Sequence, residues 1–477
     1  MKLIQITFIT AIGLLGFFFF FLPHTIELSG TLDTWFSYKG LIFYKDFNSF
    51  HFPIGRFILM PIHLLSNWNL ELDPFVGLGI GVGNLIVIYY FGKKYLSEIA
   101  TAFALFFFAI FFWFFATAIL YFHEMLIGLL LTISVLLLFQ LIKDNHVSAG
   151  KIFSLGLVLS LAEASGQIAS PTVFAGVLIT FYLLFRKKSN LLKNTSFLFI
   201  GLALPFTILG LYFLGKGALW EFIYWNTFYY FTYSTSVSPL SELPKKEILA
   251  FYLPLIISLI SLLYKLKARI RISLETMVVF VLTASSLPFI IYSIFHPHHL
   301  NYPLGVLALA AGFSVDSLKV IRNGNVVIII FSIIFISLGA STFIPWYAER
   351  LSTPSLKITN DVYPGDPMYD AIVWVKQNTS SSDKLMVVGD PLFYMRADRL
   401  PASRPIKSII VSWEPIEEIS KEITATPPNY WIVDTSSIKN LVTIYRKQNM
   451  VDFINNELKS EYSKKTTYDN WEIWERK

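Results

Sequence analysis

Long apolar runs, each nearly free of charge, recur along residues 1–347 and set the pattern of expected elements. A helix needs roughly 20 predominantly apolar residues to cross the hydrocarbon core of a bilayer. Segments of that order lie at 3–22, 75–92, 99–121, 125–142, 195–214, 249–264, 276–295, 302–318 and 326–347, and each is predicted to span. The first follows only Lys2 and has no small-residue cleavage site, so a retained span is expected rather than a signal peptide.

Segment 152–185 is too long for one ordinary helix and short for two, and Glu163, Ser165, Gly166, Gln167, Ser170 and Pro171 interrupt its middle. Basic residues decide how it folds, because inner loops of membrane proteins collect Lys and Arg. With a hairpin here the chain has eleven spans and an inner N-terminus. The inner ends then hold 15 basic residues, at 2, 93, 94, 143, 151, 186–188, 193, 265, 267, 269, 271, 319 and 322. The outer loops before residue 348 hold 6, at 39, 45, 56, 216, 245 and 246. A single helix would send the later clusters, KLKARIR at 265–271 included, outside. The hairpin is therefore predicted, with a recessed polar turn bearing Glu163 and Gln167. Non-helical backbone at that depth is tolerated where protein buries it or where it lines a wet cavity.

Residues 348–477 change character. Amphipathic stretches at 369–378 and 415–424 alternate with short β-like runs at 384–389, 408–413 and 429–434, which predicts a small α/β domain on the outer side. The expected organisation is thus an all-α polytopic domain over 1–347 and an extracytoplasmic α/β domain over 348–477. The outer loop 24–74 is expected to carry interfacial helices.

Composition agrees. Of the 477 residues, 55% are hydrophobic and 15% charged, against about a quarter charged in soluble chains, and mean hydropathy is +0.58. The absence of Cys excludes disulfides, thiolate-held zinc and thiol catalysis. The net charge of +6 is spread by membrane side and forms no stripe suited to nucleic acid. There is no internal repeat, P-loop or dinucleotide fingerprint, so nucleotide-driven transport is unsupported.

The chemistry-bearing residues fall in the outer turns. Asp33 lies beyond the first span, in a loop that continues as YKDFNSFHFPIGRF (44–57). Glu124, preceded by His123, sits in the minimal turn between the third and fourth spans. A carboxylate there faces a cavity or partner, or else is a helix-end Glu bonded to its neighbour. The loop FHPHHLNYP (295–303) packs His296, His298 and His299, suited either to a metal or to hydrogen bonding an anion. Arg56 offers a bidentate fork to phosphate, whereas Lys39 and Lys45 fit contacts to lipid headgroups. The aromatic loop WEFIYWNTFYYFTYSTS (220–236) reads as an interfacial belt.

Taken in order, these features resemble a family. Asp33, the aromatic-Asp-Phe block at 44–57, Glu124, the hairpin LGLVLSLAEASGQIASPTVF (155–174) and His298-His299 before LNYPLGVLALAAGF together resemble the GT-C membrane glycosyltransferases. The likeness is to the branch of protein O-mannosyltransferases and lipid A aminoarabinose transferases. Two positions depart from the family pattern: Thr34 stands where a second acid is common, and Gln167 where a basic residue is usual.

The resemblance implies sugar transfer from a polyprenyl-phosphate donor to an acceptor hydroxyl on a protein, lipid or glycan, at the outer face of a cell membrane. It implies Asp33 as general base and Glu124 as a second carboxylate orienting acceptor or metal. Arg56 with His298 or His299 is implied as the phosphate partner, and Asp46, Glu163 and Gln167 as further substrate-binding residues. No cofactor is required by the sequence, and a divalent Mg, Mn or Zn ion is compatible with it. A polymerase or ligase using lipid-linked sugars shares these expectations. A secondary transporter would call for paired repeats, and a scaffold would need no ionisable residues at three outer turns.

Overall fold

The structure, a computed structural model, describes residues 2–21, 25–26, 28–49, 52–69, 72–116, 119–120, 122–144, 146–187, 190–229, 256, 259, 263, 273–286, 300–318, 344–345, 348, 366–404, 416–443 and 448–477. In chain order the elements begin with α1 (Lys2–Phe21), β1 (Thr25–Ile26), α2 (Leu28–Tyr38), α3 (Ile54–Leu65), α4 (Asp73–Tyr95), α5 (Glu98–Ala116), β2 (Ile119–Leu120) and α6 (Phe122–Lys143). Next come α7 (Ala149–Glu163), α8 (Ser170–Arg186), α9 (Leu191–Gly215), α10 (Leu219–Ile223), α11 (Leu274–Ala284) and α12 (Asn301–Leu318). Five helical segments among the described residues are long and apolar enough to cross a membrane: α1, α4, His123–Lys143, Gln167–Arg186 and α9. Of the expected spans, 249–264 and 326–347 lie almost wholly outside the described residues, as does the second half of 276–295.

The chain divides into two compact units. The first comprises Met1–Ile26, Glu71–Leu209 and Ser236–Lys357. Its central element is α12, which is buried on nearly every side and packs against α4, α5, α6 and α11. Small residues on α12 make that burial feasible by letting backbones approach. Gly305 is the tightest case: a Cβ there would stand 1.9 Å from Thr132 Oγ1 and 2.9 Å from Asn84 Oδ1. Thr132 itself donates to Asn84 Oδ1 at 2.9 Å, so a polar pair linking α4 and α6 lies against Gly305 of α12. Around this core, α1 presents a stripe at Ile4, Thr7, Ala11, Leu15 and Phe19 to α4 and α5. The two short strands β1 and β2 pair in parallel, Thr25 with Ile119 and Ile26 with Leu120.

The hairpin is present as two helices. α7 stops at Glu163, a 3-10 turn covers Gln167–Ala169, and α8 restarts at Ser170 with Pro171 in its first turn, where its missing N–H costs nothing. The other ends of α6, α7, α8 and α11 carry the basic residues and are tied together. Lys187 Nζ donates to Ile142 O at 3.0 Å, Lys143 pairs with Glu275 at 2.5 Å, and Lys151 pairs with Asp144. The Lys151 hydrogen bond holds the Asp144 carboxyl below its usual range.

The second unit comprises Glu27–Leu70, Gly210–Thr235 and Ile358–Lys477. The loop 27–70 therefore shares a unit with the C-terminal residues. Its α2 packs on α3, whose buried side is Gly55, Arg56, Leu59 and His63 while Ile58, Leu64 and Leu65 are exposed. α3 is thus two-faced, with one side packed and the other exposed. The C-terminal residues add α13 (Tyr369–Asn378), β3 (Lys384–Val388), α14 (Leu392–Ala397), β4 (Leu400–Pro401), α15 (Ile416–Ala425) and β5 (Tyr430–Asp434). They end with α16 (Thr435–Thr443), α17 (Gln448–Glu461), β6 (Tyr462–Tyr468) and β7 (Trp471–Arg476). The five strands form one sheet in the order β4-β3-β5-β7-β6, parallel at β4-β3-β5 and antiparallel beyond. Its core includes Met386, Val388, Trp431 and Val433 of the sheet with Ile419, Ile423, Leu441, Ile454 and Leu458 of the helices.

The helices expected at 369–378 and 415–424 are α13 and α15, and the runs at 384–389 and 429–434 are β3 and β5. The run at 408–413 lies outside the described residues. The β6–β7 hairpin was not anticipated; its available signal was the buried Trp471 and Ile473, alternating after the turn at Asp469-Asn470.

Candidate functional site

In the second unit, Asp33 is wholly buried inside α2. It lies within α2, which begins at Leu28, and so is neither a solvated loop carboxylate nor a cap at a helix start. Its Oδ2 accepts from Ser49 Oγ at 2.9 Å and lies 3.7 Å from Arg56 Nε, itself 2% exposed. α3 positions that guanidinium: Arg56 follows Pro53 in the first turn, on the side that faces α2. The neighbour of Asp33, Thr34, sits 3.0 Å from His63 Nδ1 and donates to Thr31 O at 2.7 Å. A second acid at this position would meet that same imidazole.

The turn after α2 holds Ser49 in place. Tyr44 adopts φ 68°, a left-handed conformation, with its ring against Phe213 and Phe222 and its hydroxyl 3.4 Å from Asn226 Oδ1. Asp46 serves the same turn, accepting from Ile42 N at 2.8 Å. Lys39, expected at lipid headgroups, lies 2.7 Å from Asp398 and over the Trp35 ring. Lys45 reaches Gly217 O at 3.5 Å.

In the first unit, Glu124 occupies the first turn of α6, 1% exposed, with Oε1 2.7 Å from His123 Nε2. Glu124 therefore meets a partner at this turn, its neighbour His123. Glu163 closes α7, and its Oε1 accepts from Ser170 Oγ at 2.5 Å. Gln167 opens the 3-10 turn and is half-buried. A Cβ on Gly166 would stand 3.0 Å from Ile127 Cδ1 and 3.6 Å from His123 Cδ2, so the hairpin tip rests on the first turns of α6. The polar hairpin turn and the His123–Glu124 pair are thereby brought together. Asn301, which the sequence reading did not single out, enters at the same end. Its carbonyl oxygen lies against Gly128 of α6, it is 4% exposed, and its side-chain amide makes no hydrogen bond. Its neighbours His298 and His299 lie outside the described residues. Among the described residues, no three His, Asp or Glu side chains gather as a metal-holding group.

No family model matches the chain, and no curated protein matches it by sequence. Solved structures do match by shape. ArnT from Cupriavidus metallidurans bound to undecaprenyl phosphate is similar with a TM-score of 0.58 and 9% identity, over 98% of this chain and 97% of that one. Its apo state gives 0.57 and 10% over the same shares. The archaeal oligosaccharyltransferase AglB from Archaeoglobus fulgidus, in complex with an inhibitory peptide and a dolichol-phosphate, gives 0.51 and 12%, over 91% of this chain and 67% of that one. This protein has the fold of these solved proteins, the GT-C fold that its sequence motifs resemble.

Proposed function

We propose that the protein is a glycosyltransferase that moves a hexose or pentose from a polyprenyl-phosphate donor to an acceptor hydroxyl on the extracytoplasmic face of a cell membrane. One observation carries the reading. A buried carboxylate, Asp33, is held by a hydroxyl and faced by a buried guanidinium, Arg56, in a chain with the fold of a protein solved with undecaprenyl phosphate. In this reading the acceptor oxygen attacks the anomeric carbon while Asp33 takes the hydroxyl proton. The bond from that carbon to the phosphate oxygen breaks, and polyprenyl phosphate leaves with the electron pair. Arg56 and the His298-His299 loop bind the phosphate, Glu124 orients the acceptor, and Glu163 and Gln167 line its approach. Asp46 acts through the turn that carries Ser49. The described residues offer a divalent ion no set of three side-chain ligands.

The reading includes eleven spans, a cytoplasmic N-terminus and an extracytoplasmic C-terminal domain. The basic bias supports it, and so do the ties among Lys143, Lys151 and Lys187 at one end of the helices. The likeness to AglB supports a second version, in which the donor carries an assembled glycan and the enzyme acts as a ligase.

Purified protein would be incubated with undecaprenyl-phosphate-linked labelled hexoses, pentoses and short glycans, with lipid and protein extracts as acceptors. Label moving to an acceptor from a single-sugar donor supports the main reading. Transfer from glycan donors alone favours the ligase. With no transfer from any donor, and no binding of undecaprenyl phosphate, the reading fails.

A further inference from the structure

Three hydrogen bonds in the second unit lead from the sheet to Asp33. Leu385 O, in β3, accepts from Ala402 N at 2.8 Å. Two residues on, Arg404 O accepts from Asn48 N at 3.1 Å. The next residue along the turn, Ser49, donates to Asp33 Oδ2 at 2.9 Å. Leu385, Asn48, Ser49 and Asp33 are all buried. Arg404 is the joint of this run. Its guanidinium lies 4.5 Å over the Trp225 ring and pairs with Glu422 of α15, whose Oε1 is 3.1 Å from Nε. Trp225 belongs to a π-helical turn, Tyr224–Phe228, and the adjacent Asn226 receives the Tyr44 hydroxyl. Three segments remote in sequence therefore meet at one arginine: the turn 42–49, the π-turn and the strand extension 400–404.

We propose that Arg404 is a positioning residue, which fixes the Asn48–Ser49 turn and, through the Ser49 hydroxyl, the rotamer of Asp33. The C-terminal α/β domain is then part of the catalytic apparatus, although it supplies none of the reacting groups. This inference rests on the reading of Asp33 as the base. The physical ground is that a reacting group displaced by about 1 Å can lose roughly 10²-fold in rate, so such groups need a rigid surround. Planar stacking and a forked charge contact fix Arg404 in a way that Lys cannot reproduce.

The test uses the full chain in detergent with Arg404→Leu, Arg404→Lys, Ser49→Ala and the Arg404→Leu/Ser49→Ala double variant. Hydrogen exchange of the peptide covering 42–49 is read first, since it needs no turnover. Arg404→Leu is expected to speed exchange there by about tenfold, the scale of one lost hydrogen bond. Affinity for undecaprenyl phosphate should stay within about twofold, while turnover falls roughly 10- to 100-fold. Ser49→Ala should lower turnover similarly, and the double variant should be no slower than the worse single one, as residues in one network couple. Arg404→Lys, the milder change, should fall between Leu and the native residue in both exchange and turnover. Unchanged exchange at 42–49 in both Arg404 variants, or losses that multiply in the double variant, would overturn the proposal. Full turnover by Asp33→Asn would instead sink the base assignment, leaving the exchange result to stand on its own.

Discussion

Arg56 holds its Nε 3.7 Å from Asp33 Oδ2, and neither side chain reaches solvent. A phosphate arriving at Arg56 would compete with Asp33 for the same guanidinium, so donor binding and the state of the base are linked through one side chain. Arg56→Lys keeps the charge but loses the fork, and should weaken undecaprenyl phosphate binding by about tenfold, or 1.4 kcal/mol. Arg56→Met removes the cation beside a buried carboxylate and is expected to cost about 3–5 kcal/mol of stability. Adding Asp33→Asn should recover part of that loss, read as a partial return of the thermal midpoint. Undiminished lipid-phosphate binding in both Arg56 variants would return Arg56 to a purely structural role.

Asp33→Asn keeps an acceptor for the Ser49 hydroxyl and fills the same volume inside α2. It should lower turnover by about 10²–10⁴. Because it removes the negative charge that faces the buried Arg56, it should also lower the thermal midpoint, by less than Arg56→Met does, since Asn still accepts from Ser49. Glu124→Gln is expected to retain more activity, since orienting an acceptor contributes less than removing its proton. If the order of the two losses were reversed, the base would be Glu124.

Gly305 is a packing prediction, independent of chemistry. A methyl group there would collide with Thr132 Oγ1 and crowd Asn84 Oδ1. Gly305→Ala should destabilise the first unit by about 1–3 kcal/mol, the range for overpacked cores. Gly210, with open space around its Cβ direction, is the control. Thermal unfolding in detergent distinguishes them, and equal midpoints for the two variants would mean that the α4–α6–α12 contact is looser than its distances.

The chain lacks Cys, so single cysteines report topology directly. In sealed cells an impermeant thiol reagent should label Lys376→Cys, on an exposed position of α13, and should leave Ala268→Cys unlabelled. Labelling at 268 would invert the hairpin reading and with it the outer-face assignment of every candidate site residue.

Much of this layout was legible in the sequence because it follows from period and charge. The hairpin at 152–185 was settled by where Lys and Arg fall, and α13, α15, β3 and β5 by apolar periodicity. The surroundings of Asp33 were not legible. α2 buries Thr31, Asp33 and Thr34 alongside Leu32, Trp35 and Phe36, so no polar face marks it as a helix in a core. The Thr34–His63 contact spans 29 residues, and Asn48 meets Arg404 across most of the chain. Tertiary pairs of that kind leave no local pattern. Asn301 was overlooked for a related reason: a single amide next to a histidine-rich loop is unremarkable until its burial is known.

The pairing of β1 with β2 joins the exit of α1 to the entry of α6 through main-chain groups alone. A main-chain tie asks nothing of the side chains at Thr25, Ile26, Ile119 and Leu120, beyond room for two extended strands. Such a joint can survive while its residues drift, unlike the Gly305 contact, which tolerates one residue type. Where a scaffold is fastened in this way, its shape constrains few side chains at the joint.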